Sequence, residues 1–154
     1  MFGKQWHIGL MILMTAIVNI AKAEKIDLSP TQLLNTATHV IEGQVLAVFE
    51  RSETHGDWKY TKYVAEVRVD QSDKGEGIKK GELIYVRYWQ REWIGKGEVP
   101  PSTTGHRGVP EDRDTVRVYL ARNAYDGFSN DNNDGGFNVI GANGFQKSNL
   151  NSSK

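Results

Sequence analysis

The chain has 154 residues, 19 basic and 19 acidic side chains, 16 glycines and no cysteine. That length suits one domain, and 38% apolar residues with four Trp, six Tyr and five Phe can close a modest core, which argues against whole-chain disorder. The missing cysteines exclude a disulfide framework, thiolate metal ligands and a Cys nucleophile, and the balanced charge argues against a nucleic-acid binder.

Residues 1–23 read as a secretory signal peptide. Lys4 and His7 form a basic front, Ile8 to Ile20 is an uncharged apolar run, and Ala21-Lys22-Ala23 supplies the small-x-small pattern before a cleavage point. The run falls short of the roughly 20 apolar residues a spanning helix needs. The expectation is therefore cleavage after Ala23 rather than stable membrane insertion. Loss of Lys4 and Lys22 leaves 19 − 2 = 17 basic against 19 acidic groups, a net charge of −2. An exported chain without cysteine points to a bacterial protein, periplasmic or secreted. The division expected is a signal peptide over 1–23, a β-barrel domain over 24–145 and a disordered tail over 146–154.

Ser29-Pro30 opens the one convincing helical signal, with Ser29 placed to cap and Pro30 tolerated in the first turn; two turns to about Ala37 follow. Period-two alternation then predicts a first strand over His39–Arg51, with Ile41, Val45, Ala47 and Phe49 on one face and a bulge or sharp coil at Gly43. A second strand over Trp58–Gln71 places Tyr63, Ala65, Val67 and Val69 inward. The third, Glu82 to about Trp89, carries Ile84, Val86 and Tyr88 on one face. Thr115–Arg122 is a fourth, with Val116, Val118 and Leu120 inward, and Phe137–Ala142 a fifth. The fold class expected is all-β: a small five-stranded antiparallel OB-like barrel with one short N-terminal helix.

The succession Ala37-Thr38-His39-Val40-Ile41-Glu42-Gly43-Gln44-Val45, then Tyr63 to Val69, the turn Lys74-Gly75, Leu83 to Tyr88, Val116 to Leu120 and Asp134 to Val139 resembles netrin-like domains, the barrels of tissue inhibitors of metalloproteinases. The resemblance covers roughly residues 36 to 142 and implies a barrel scaffold that presents loops to a partner. Those inhibitors begin with a cysteine that chelates the protease zinc, whereas this chain would begin with Glu24. Their zinc-chelating mechanism does not carry over.

The polar connection from Gln90 to Asp114 is long for an ordered loop, a length that points to function. Arg87, Trp89, Arg91 and Trp93 alternate along its approach, so on a strand they would share a face, and Trp and Arg are the residue types that anchor interfaces. The competing expectation has Trp89 and Trp93 plugging one end of the barrel under a cover of arginines. His106 lies in the same connection, as a contact residue or, beside Glu111 and Asp112, as half of an acid/base pair. Asn130, Asn132 and Asp134 resemble half of a calcium loop but lack the closing bidentate Glu, so a turn is the stronger expectation. No Ser elbow, phosphate-cradling glycine loop or H-E-x-x-H is present.

The function expected is an exported, non-enzymatic binding module without a cofactor. Its partner would be an envelope or extracellular protein engaged through the loop after the third strand. A glycan bound by the same aromatics is the first alternative, and a small hydrolase using His106 the second.

Overall fold

The computed structural model describes residues 26–101, 104–108, 110–122 and 136–148. The expected signal peptide and Asn130, Asn132 and Asp134 lie outside the described residues, as does the tail beyond Ser148.

One short helix precedes six strands. Helix α1 spans Pro30–Thr36, and Ser29 caps it: its hydroxyl accepts from the Gln32 N–H while the Gln32 side chain accepts from the Ser29 N–H. The strands are β1 His39–His55, β2 Trp58–Lys74, β3 Leu83–Trp93, β4 Thr115–Arg122, β5 Phe137–Val139 and β6 Phe145–Lys147.

Five of them close in a ring. The order β1-β2-β3-β5-β4 returns to β1 through pairing of His39–Gln44 with Thr115–Leu120. The architecture is the expected all-β, five-stranded OB-like one. Every pairing is antiparallel except β3–β5, which is parallel and only two residue pairs long, Val86–Phe137 and Arg87–Asn138. Strand β6 adds to β4 through Val118–Phe145, Arg117–Gln146 and Val116–Lys147, so the chain is still in a strand where the tail was expected to begin. Three residues with one apolar side chain offer no alternation to read; the buried Phe145 fixes this strand by tertiary contact.

The ring encloses Ile41, Val45, Tyr63, Ala65, Val67, Val69, Ile84, Val86, Tyr88, Val116, Val118 and Leu120, joined by Phe137, Val139 and Phe145. A second cluster, Leu33, Ala37, Val40, Tyr119 and Ile140, lies outside the ring where α1 covers β1 and β4. Both faces of β1 are therefore buried at its start, with Val40 facing the helix and Ile41 the interior.

Strand β1 is long and bent. Its register against β2 slips between Val40 and Ile41, between Glu42 and Gly43, and between Val45 and Ala47. The coil expected at Gly43 is present. A Cβ there would lie 2.4 Å from the Arg68 carbonyl oxygen, a backbone approach that only glycine permits. The third slip inserts Leu46 as an extra residue and reverses the faces beyond it. Val48 packs against the core in place of Ala47, and Phe49, expected inward, is 57% exposed.

Beyond the ring the first three strands continue as a separate ribbon. β1 pairs with β4 only as far as Gln44, whereas its pairing with β2 runs on to His55–Trp58, and β2–β3 pairing runs to Trp58–Trp93. Residues 90–93, expected in the loop after the third strand, belong to β3. That strand is longer than its apolar alternation because its far end packs on β2 rather than into the core.

Candidate binding face on the strand extension

Residues directly opposite each other in an antiparallel ladder share a face. Tyr63, Ala65 and Val67 oppose Tyr88, Val86 and Ile84 on the inner side. The alternate positions, Trp58–Trp93, Tyr60–Arg91, Lys62–Trp89, Val64–Arg87 and Glu66–Tyr85, define the outer side. On β1 the outer partners are His55 opposite Trp58, Glu53 opposite Tyr60, Arg51 opposite Lys62 and Phe49 opposite Val64. Arg87, Trp89, Arg91 and Trp93 thus stand on one strand face, the arrangement their spacing implies, and the structure adds Phe49, Trp58, Tyr60 and Tyr85 beside them.

At the outer end the contacts are close. The Trp58 and Trp93 rings meet edge to face with centroids 5.1 Å apart, and the Arg91 guanidinium carbon lies 4.6 Å from the Trp58 ring centroid, a cation–π distance. His55 meets the edge of Tyr60 at 5.7 Å. All these groups are half-buried or exposed, as are Arg87 and Trp89. Trp89 and Trp93 therefore do not plug the barrel; Trp93 packs on Trp58 and under Gly95, on the ribbon outside it. Its indole N–H is buried with no hydrogen-bond partner among the described residues.

The charges on this side are uneven. Arg51, Lys62, Arg87 and Arg91 face Glu53 and Glu66, four basic groups against two acidic. Glu53 holds Lys62 at 2.7 Å, and that hydrogen bond, with the attraction behind it, keeps the Glu53 carboxyl below the usual range. Tyr85, 52% exposed, is hydrogen-bonded to Glu66, which raises its phenol. Arg51 has no ion pair among the described residues.

His106 takes a different position from the one a contact residue needs. It is 1% exposed, and its ring nitrogens meet backbone groups of two strands: Nδ1 accepts from the Trp89 N–H at 3.1 Å, and Nε2 lies 3.0 Å from the Val139 carbonyl oxygen. Its own backbone N–H donates to the Trp89 carbonyl. The imidazole extends the short parallel β3–β5 joint with side-chain bonds where the ladder stops. Glu111 and Asp112, its expected acidic neighbours, turn elsewhere: the Glu111 N–H donates to Asp114, and Asp112 pairs with Arg113 at 3.9 Å. The histidine is held here by Gly105, whose φ of +92° lets the chain lie flat on Trp89; a Cβ would sit 2.6 Å from the Trp89 carbonyl oxygen. The same stretch bonds along β3, with the Arg91 N–H donating to the Thr104 carbonyl and Gln90 bridging to Gly105.

Phe49, Trp58, Tyr60 and Tyr85 were not singled out by sequence. Trp58 was recoverable, since a two-residue turn at Gly56-Asp57 pairs His55 with Trp58 and fixes the ribbon's end. Phe49 was not, because a strand's alternation gives no warning of the Leu46 insertion. Among the described residues, no three His, Asp or Glu side chains come together as metal ligands, and no helix is long and apolar enough to cross a membrane.

Compared with family models, curated proteins and solved structures, the chain matches none.

Proposed function

We propose that this protein is an exported, non-enzymatic binding module of the netrin-like kind, engaging a partner protein of the bacterial envelope or its surroundings through the outer face of the β1–β3 extension. The observation that carries this is the gathering of Phe49, Trp58, Tyr60, Tyr85, Trp89, Arg91 and Trp93 on one side of three strands, half-exposed, with basic charge in excess. Aromatic and arginine side chains are the usual anchors of protein interfaces, and a surface whose basic groups outnumber its acidic ones selects a partner with acidic and apolar groups. The fold adds a reason: the ribbon stands clear of the ring, so its outer face can be covered without disturbing the core.

A photo-crosslinking residue at Tyr85 or Phe49, both well exposed, tests this in producing cells. The expected result is one discrete adduct that disappears with Arg91→Glu while thermal unfolding of the variant stays within a few degrees of wild type. An adduct that forms equally well from an α1 position, or that survives Arg91→Glu, refutes the face as the contact.

The glycan alternative draws on the same aromatics, because exposed rings stack on sugars as well as on side chains. Three of the four tryptophans lie on this face and the fourth, Trp6, in the expected leader, so tryptophan fluorescence of the mature chain reports this face alone. A shift on saccharide titration supports the glycan; flat titrations across a panel remove it.

A further inference from the structure

Among the described residues the ribbon has one long open margin. On the β3 side, residues 104–106 bond along Trp89–Arg91. On the β1 side, the last contacts with the β4 side are the Val45 N–H to the Asp114 carbonyl and the Arg113 N–H to the Val45 carbonyl. From Ala47 to His55 no described strand pairs with that edge, and residues 49–55 are exposed except for the half-buried Glu53. We infer that this edge is a dimerisation site, pairing antiparallel with the same edge of a second copy of the chain.

Backbone direction limits the register. A two-residue turn is closed by ladder bonds of its flanking pair, here His55–Trp58, so the odd positions from 55 to 49 point their N–H and C=O groups at β2. Val48, Glu50, Ser52 and Thr54 point theirs at the open edge. Two such edges mate only with even positions opposite even ones. Centred on Glu50, the pairing sets Glu50 against Glu50. Centred on Arg51 or on Glu53, it sets like charge against like charge in the same way. Centred on Ser52, it sets Arg51 opposite Glu53 of the second copy and Glu53 opposite its Arg51, with Phe49 facing His55 at both ends. Those side chains lie on the outer face, where Arg51 has no ion pair among the described residues.

Charges on an edge strand ordinarily discourage pairing. This set instead disfavours the registers centred on Glu50, Arg51 and Glu53 and favours the one centred on Ser52. The result is a six-stranded sheet across a two-fold axis, with the outer faces of both ribbons continuous. An interface this narrow holds a weak, concentration-dependent dimer. The inference does not depend on what binds the outer face.

Sedimentation equilibrium of the mature protein reads the dimer directly. Arg51→Glu sets two glutamates together at both ends of the axis and weakens association roughly tenfold. Glu53→Arg does the same with arginines. Mixing the two single variants restores association, because each then meets its opposite charge. The chain has no cysteine, so Ser52→Cys gives one thiol per copy, and a disulfide-linked dimer is expected under mild oxidation. Circular dichroism on each variant confirms that it is folded. A wild-type protein that stays monomeric and a Ser52→Cys variant that forms no disulfide dimer would together overturn the inference. So would a dimer indifferent to Arg51→Glu, or single variants whose mixture fails to associate.

Discussion

Tyr88 stacks on Tyr63 with ring centroids 4.9 Å apart and the planes nearly parallel, fully buried. Its hydroxyl has no hydrogen-bond partner among the described residues, and burial, then the neighbouring Tyr63 and Glu50, pushes the phenol up from its ordinary value. A buried hydroxyl without a partner keeps its desolvation cost and returns nothing for it, whereas the ring contributes stacking and apolar area. Tyr88→Phe is therefore expected to leave stability unchanged or raise it by about 1 kcal/mol in urea denaturation. A loss of more than that would mean the hydroxyl is bonded in solution. His106 is the contrasting case, since its ring nitrogens meet backbone groups across a joint only two residue pairs long. Sequence alone could not separate these two. A histidine in a polar loop and a tyrosine in an apolar strand look like the mobile and the fixed residue, yet both are buried.

Among the elements, β1 shows how far alternation can be read. From His39 to Val45 the residues expected inward are inward, and the glycine expected to kink the strand does so. Past Leu46 the expectation inverts, because one inserted residue exchanges the two faces of everything after it. The period was legible and its phase was not. The β1 coil is tight enough to test. Gly43→Ala places a methyl group 2.4 Å from the Arg68 oxygen, and the backbone must move to admit it. A cost of about 3 kcal/mol is expected from chemical denaturation, with the m-value unchanged. A near-neutral result would show that β1 crosses β2 less closely. For β3 the alternation reached only as far as the core does. The sequence places Arg91 and Trp93 in the connection after the third strand because apolar alternation ends before them, but ladder bonds to β2 suffice to carry the strand outward.

At the scale of the whole molecule, carboxylates hold the seams where the ring and its added strand meet. Arg117 of β4 reaches Glu42 of β1 and Asp73 of β2, each at 2.6 Å, and Lys147 of β6 reaches Asp114 just before β4 at 2.9 Å. The Gln71 side chain, then Arg117, holds the Asp73 carboxyl below its ordinary value; the Glu111 N–H, then Lys147, does the same for Asp114. A carboxyl lowered in the folded state binds fewer protons there than in the unfolded chain. Its stabilisation is complete above the ordinary carboxylate value of 3.8 and is lost as the pH falls through the lower folded values. Urea midpoints should thus be level from neutrality down to about pH 5 and fall steeply below it. Asp114→Asn should flatten part of that fall, and an unchanged slope would remove Asp114 from the account. None of these seams could be read from sequence, because Glu42, Asp73 and Arg117 come together only when the ring closes.

The stretch that lies along β3 also decides how large an assembly can grow. A sheet with two bare sides can recruit neighbours without limit and build fibres, but here one side is already occupied by the chain's own returning segment. Once the remaining side is taken, the ribbon offers a third molecule no second row along Trp89–Arg91. Growth stops at two, and the association closes on a pair instead of running on into a fibre.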